Sequence, residues 1–150
     1  MKTLLYDREC PFCRTVVGAL LMRDDSASIR PVALQEALAA DLLPGMTEED
    51  RFDSFHVVDD DQVVLSGADA LPLLFAQLPH GRAPARAMRA APGLLRALYG
   101  AVSANRKRIG PWVPDGWIRR ADATIRRRRE ELGGDVVAQA SDELAQATPA

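Results

Sequence analysis

Cysteine occurs twice in this chain, at Cys10 and Cys13, with Pro11 and Phe12 between them. A thiolate rather than a thiol attacks a disulfide, so the surroundings of the two sulfurs decide what they can do. Before them lies a short apolar run, Leu4-Leu5-Tyr6. After them Cys13, Val16, Val17, Leu20 and Leu21 recur at helical spacing. Pro11 suits the first helical position, where its missing N–H would have no partner. Cys10 then falls at the helix N-terminus, where free N–H groups and the helix dipole stabilise negative charge. Side chains three apart on a helix are neighbours, so a Cys10–Cys13 disulfide is within reach. Strand, Cys-x-x-Cys and helix in this order read as a thiol–disulfide site. The pattern makes Cys10 exposed and nucleophilic, and Cys13 more buried and resolving. Arg8 and Arg14 flank the pair and favour a thiolate; Asp7 and Glu9 oppose it. Asp7 has two readings: a general base for Cys13, or a polar residue that closes the strand and helps cap the helix.

The same two sulfurs are also half of a metal site. A closed zinc cage needs four ligands. His56 and His80 are the only histidines, their spacing fits no finger, and His56 falls in an expected strand. Redox chemistry is the better account, with no metal and no cofactor expected.

Asp7-x-x-Cys10-x-x-Cys13 after a short strand resembles the DCC family of thiol–disulfide oxidoreductases, named for that motif. Leu34-Gln35, Ser66-Gly67-Ala68-Asp69-Ala70, Tyr99 and Asn105-Arg106 are similar to further features of that family, so the likeness spans roughly residues 3–108. It implies a thioredoxin-like fold, with Cys10, Cys13 and Asp7 as the catalytic residues and Pro11 and Phe12 beside the substrate. It also marks departures. Arg8 stands where the motif usually has Gly, and Ala33 where Pro is expected. Thioredoxin-like folds place a cis-proline opposite the cysteine pair; Asp53-Ser54 occupies that place here, which makes Ser54 the candidate for contact with substrate backbone.

The rest of the chain must position these residues. Residues 2–6 form a first strand and 11–23 a first helix. A second strand spans 28–34, and Pro31 argues for a sheet edge or a bulge. A short helix at 35–43 stops at Pro44-Gly45, and Thr47-Glu48-Glu49-Asp50 has the form of a capping box. Residues 54–59 and 62–66 make a hairpin around Asp59-Asp60-Asp61. A helix at about 69–78 follows, with Pro72 tolerable only in its first turn. This order is that of an α/β thioredoxin-like mixed sheet flanked by helices, expected over residues 1–79.

Residues 80–132 read as a basic helical extension packed on that domain. Leu94, Leu95, Leu98, Tyr99 and Val102 share one helical face; residues 110–116 form a loop; a further helix spans 117–132, with Trp117, Ile118, Ala121 and Ile125 apolar. Residues 133–150 read as a disordered tail. Residues 79–129 hold 13 Lys and Arg against two acids, while the rest hold 6 against 19. Such a division fits an extension that pairs with its own domain. Tyr99, Asn105 and Arg106 then look like a helix end packed on the core. The Arg126–Arg129 run reads as a solvated face, with an anionic partner as the sharper reading.

A net charge of −2 does not point to nucleic acid. No apolar run approaches the 18 or so residues of a membrane span, and the N-terminal apolar run is too short for a signal peptide. A reducing cytoplasm is therefore expected, where a cysteine pair serves catalysis, sensing or metal binding rather than as a staple. The reading that follows is exchange of disulfides with a disulfide- or dithiol-containing substrate, either a protein or a small thiol. The alternative is a redox-sensing interaction module whose basic extension holds an anionic partner. The sequence sets no oligomeric state.

Overall fold

The structure is a computed structural model that describes residues 1–133; the tail expected beyond Gly133 lies outside the described residues. Four strands form one mixed sheet: β1 (Lys2–Tyr6), β2 (Ile29–Ala33), β3 (His56–Val58) and β4 (Val64–Ser66), in the order β2-β1-β3-β4. β1 pairs parallel with β2 and antiparallel with β3, and β3 pairs antiparallel with β4. β2 is an edge strand, which accommodates the missing N–H of Pro31. The connections are α1 (Pro11–Leu21), α2 (Ala37–Leu42) and α3 (Glu48–Asp53), followed after β4 by a 3₁₀ turn (Gly67–Ala70) and α4 (Leu71–Gln77). This is the thioredoxin-like α/β arrangement that the pattern implies.

Strand alternation divides the core between the two faces of the sheet. Leu4 and Tyr6 face Val17, Leu21, Val57 and Leu74. Leu5 faces the other way, with Val32, Leu34, Ala39, Leu43 and Val58. Local signals hold where they were clear. Thr47 caps α3, its hydroxyl accepting from the Asp50 N–H at 3.1 Å and donating to the Asp50 carboxylate at 2.6 Å. Asp59 shapes the hairpin turn by accepting from the Asp61 and Val63 N–H groups.

Three helices follow: α5 (Arg82–Ala90), α6 (Pro92–Ile109) and, after a 3₁₀ turn (Gly110–Trp112), α7 (Asp115–Glu131). α5 arises in the proline-containing stretch because Pro84 sits in its first turn, where N–H groups have no helical partner. α7 lies against α1 at a close crossing: a Cβ on Gly18 would come within 2.5 Å of Ala121 Cα. The buried face of α7 is Ala121, Thr124, Ile125 and Arg128. Trp117, expected on that face, is 66% exposed, because it stands one turn ahead of the crossing.

Arg128 differs most from its sequence reading. Instead of lying on a solvated face, it is buried and ion-paired with Asp24, which is fully buried. Its guanidinium also donates to the Asp24 carbonyl (2.8 Å) and the Leu21 carbonyl (3.3 Å). Asp24 in turn accepts from Ser26, from Ser28 twice and from the Ile29 N–H, which organises the turn between α1 and β2. Burial alone would raise the Asp24 pKa; the hydrogen bonds from Ile29, Ser28 and Arg128 outweigh it and leave the carboxyl lowered. Arg129–Glu36, Arg96–Asp69 and Arg14–Asp122 make further pairs between the first 79 residues and the helices that follow.

Candidate active site

Cys10 is the N-cap of α1, with extended backbone (φ −86°, ψ 109°). Its Sγ accepts a hydrogen bond from the Cys13 N–H at 3.2 Å, and its carbonyl accepts from the Arg14 N–H at 3.0 Å. The two cysteines are joined as a disulfide, with Cα atoms 5.2 Å apart. Cys10 is not the exposed residue expected, since both cysteines are half-buried. What separates them is environment: Cys13 lines an apolar groove, whereas Cys10 ends the helix. Arg14, expected beside the sulfurs, directs its guanidinium to Asp122 on α7, 3.3 Å away.

The loop that delivers Cys10 is held by two side chains, Gln35 and Asp7. Gln35, just after β2, donates its amide to Asp7 Oδ1 at 2.6 Å and accepts from the Arg8 N–H at 3.3 Å. Asp7 Oδ1 also accepts from the Glu9 N–H at 2.9 Å. The turn therefore keeps its shape with Arg8 in place of Gly, because carboxylate and amide supply its hydrogen bonds.

A second loop faces the first. Ser54, between α3 and β3, is extended (φ −142°, ψ 174°), and no peptide bond among the described residues is cis. Arg106 reaches from α6 and donates to the Phe52 and Asp53 carbonyls, each at 2.7 Å, which fixes the end of α3 just before Ser54. Tyr99, about two turns earlier on α6, stands edge-on to Phe55, with ring centroids 5.8 Å apart. It also packs over Gly67, whose φ is +52° and whose added Cβ would lie 2.9 Å from Tyr99 Cε1. Burial raises the Tyr99 pKa, against the opposing pull of Ser103, Arg106, Phe55 and Ser54.

Between the two loops runs a groove of about 320 Å³. Asp7, Phe12, Cys13 and Ser54 line it together, and Leu98 and Val102 of α6 supply its outer wall. Pro11 lies apart, next to the buried Gly110, whose added Cβ would be 3.8 Å from Pro11 Cδ. The sequence pattern places Leu98 and Val102 on a face docked on the domain. Leu95 and Tyr99 do turn inward, while Leu94, Leu98 and Val102 are 62%, 59% and 44% exposed. The offset between the 94/98/102 and 95/99 stripes is the sequence signal for this division.

His56 is not beside the sulfurs. Its Nε2 donates to the Arg51 carbonyl at 3.0 Å, which leaves Nδ1 to accept from the Ser66 hydroxyl at 2.7 Å. Burial lowers its pKa. Among the described residues, no three His, Cys, Asp or Glu side chains converge as metal ligands, and no helix is long and apolar enough to cross a membrane.

No curated protein and no solved structure matches the chain. A family model does, over residues 4–112, from β1 to the Gly110–Trp112 turn. The matched stretch contains the cysteine pair, the Gln35 strut and the Ser54 loop with its Tyr99 and Arg106 supports. The chain belongs to the DCC1-like thiol-disulfide oxidoreductase family.

Proposed function

We propose that the protein exchanges disulfides through Cys10 and Cys13, with Cys10 as nucleophile and Cys13 as resolving residue. The observation that carries this is the position of Cys10 as N-cap, its Sγ accepting the Cys13 N–H. A hydrogen bond to sulfur and the positive end of a helix both favour the thiolate over the thiol. In the reduced protein the Cys10 thiolate attacks one sulfur of a substrate disulfide. That S–S bond breaks, the departing substrate sulfur takes up a proton, and a mixed disulfide joins Cys10 to the other. Cys13 then loses its proton, its thiolate attacks Cys10 Sγ, and the second substrate sulfur leaves as a thiol. The substrate gains two electrons and the Cys10–Cys13 pair loses them. A dithiol substrate reverses every step.

Asp7 is the proposed base for Cys13. Its Oδ1 already accepts two N–H groups, so Oδ2 is the atom that takes the proton. Pro11 follows Cys10 at the first helical position, Phe12 lines the groove, and Ser54 offers extended backbone across it from Cys13.

Cys13→Ser tests the assignment. The reduced variant should form a stable mixed disulfide with a substrate disulfide, located on Cys10 by mass spectrometry, and should not turn over. An adduct that never forms, or one that releases substrate at the wild-type rate, would overturn the proposed roles.

A further inference from the structure

The groove beside Cys13 has features that thiol exchange alone does not require. Its outer wall comes from α6, through Leu98 and Val102, facing Phe12 and Val16 of α1. Leu98, Val102 and Val16 stay 59%, 44% and 41% exposed, so large apolar side chains border an open channel that reaches Cys13, the disulfide partner of Cys10. A volume near 320 Å³ holds one or two apolar side chains. The polar groups at its inner end do not suit an anion. Asp7 is a carboxylate, and Arg106 has both terminal nitrogens committed to the Phe52 and Asp53 carbonyls. A small polar thiol bearing carboxylates would meet mostly apolar walls, the Asp7 carboxylate, and an Arg106 guanidinium that is charged but already bonded to two carbonyls.

We infer that this groove selects an extended polypeptide segment with an apolar residue next to its reactive cysteine. The inference rests on the exchange reading given above. A chain fits better than a compact apolar molecule for two reasons: the exposed lining is shared by α1 (Val16) and α6 (Leu98, Val102), and Ser54 presents β-region backbone to it (φ −142°, ψ 174°). The substrate sulfur meets Cys10 while the neighbouring apolar side chain lies between Phe12, Val16, Leu98 and Val102. Leu98 and Val102 are thus specificity-determining residues.

The test compares two peptide disulfides of equal length, one with Leu beside the cysteine and one with Asp, using the full chain. Wild type should process the Leu peptide at least 10-fold faster in kcat/KM, since an apolar pocket discriminates by about 10-fold or more for a small change in buried apolar surface. Leu98→Asp and Val102→Asp should each lower the Leu-peptide rate by about 10-fold, while Leu98→Met should keep the preference. Equal rates for the two peptides in wild type, or a preference that survives Leu98→Asp, would overturn the inference. A second readout needs no chemistry: fluorescence anisotropy of a labelled Leu peptide with Ser in place of its cysteine. Binding to wild type that is lost in Leu98→Asp upholds the groove even if neither peptide exchanges, and then the exchange reading falls instead. Exchange with no preference and no such binding removes the groove and leaves the exchange reading standing.

Discussion

Replacing Asp7 by Asn and by Ala separates its two duties. Asn keeps an Oδ1 able to accept from the Glu9 N–H and the Gln35 amide, now at 2.9 and 2.6 Å, but it cannot take a proton. Ala loses both functions. An ordinary thiol with a pKa of about 8.5 is roughly 3% ionised at pH 7. A base that ionised Cys13 completely would therefore speed resolution by at most about 30-fold, or about 2 kcal/mol. Asp7→Asn should slow resolution by about 10- to 30-fold at pH 7. The defect should shrink to about 2-fold near pH 8.5, where the thiol is half ionised without help. Its melting temperature should stay close to that of wild type. Asp7→Ala should show the same slow resolution and also lose about 1–3 kcal/mol from two missing hydrogen bonds. The assay is rapid-quench mass spectrometry of the mixed disulfide on Cys10, with thermal melts of the same samples. If Asp7→Asn resolves at the wild-type rate and only Asp7→Ala is slow, Asp7 is a strut of the loop and not a base.

Four further outcomes follow from the geometry. Arg128→Met should destabilise the protein by about 3–5 kcal/mol, because it strands a buried carboxylate; a denaturant midpoint shift equivalent to under 1 kcal/mol would mean the Asp24 pair is worth no more than a surface bridge. In the reduced protein, an alkylating reagent at neutral pH should label Cys10 before Cys13, as peptide mapping would read; equal labelling would remove the proposed asymmetry. Stability should fall with acid in two stages. His56 has a folded pKa below its ordinary 6.5, so the unfolded chain binds its proton first and stability declines as pH drops below about 6.5; Asp24, held below 3.8, adds a second decline under about pH 4. Melts of His56→Gln should lack the first stage. Finally, we propose that residues 80–132 fold as one unit with residues 1–79. A chain ending at Pro79 should then melt at a lower temperature and expose apolar surface, and equal melting would refute this.

Much of the fold was legible because its signals are local. Pro11 after Cys10 marks a helix start, Thr47 with Asp50 marks another, and the acidic turn at Asp59 closes a hairpin; each rests on residues within four positions of one another. Pro31 announced a sheet edge or a bulge for the same reason, and β2 is an edge strand. Arg128 was not legible. Within Arg126-Arg127-Arg128-Arg129 nothing distinguishes the one guanidinium that is buried, and its partner Asp24 lies 104 residues away. The Asp24-Asp25 pair likewise conceals which carboxylate turns inward. At the site, the cysteines and Asp7 were visible by type and spacing. Gln35 was visible only as a family likeness, since its bond to Asp7 spans 28 residues. The groove was hidden in α6, where one apolar stripe had to be divided between a face that docks and a wall that does not.

The supports of the site are spread over the length of the matched stretch. The cysteine pair occupies residues 10–13, yet the family model runs from residue 4 to 112. Two loops meet at the pair, and each is held from far along the chain. Gln35 fixes the loop before Cys10. Arg106 fixes the end of α3 before Ser54, Tyr99 and Gly67 back the strand after it, and the turn at Gly110 rests beside Pro11. A chain cut before α6 would keep both sulfurs and lose the supports of the facing loop together with one wall of the groove. α7 begins at Asp115, beyond the matched stretch, and supplies no wall of the groove; it grips α1 from behind through Ala121 against Gly18 and through Arg128 on Asp24, and its Asp122 and Arg129 hold Arg14 and Glu36. Its loss would loosen the helix whose first turn carries the sulfurs without altering the walls that a substrate meets. Substitutions in α6 should therefore change which substrate reacts, and substitutions in α7 should change stability while the ratio between substrates stays fixed.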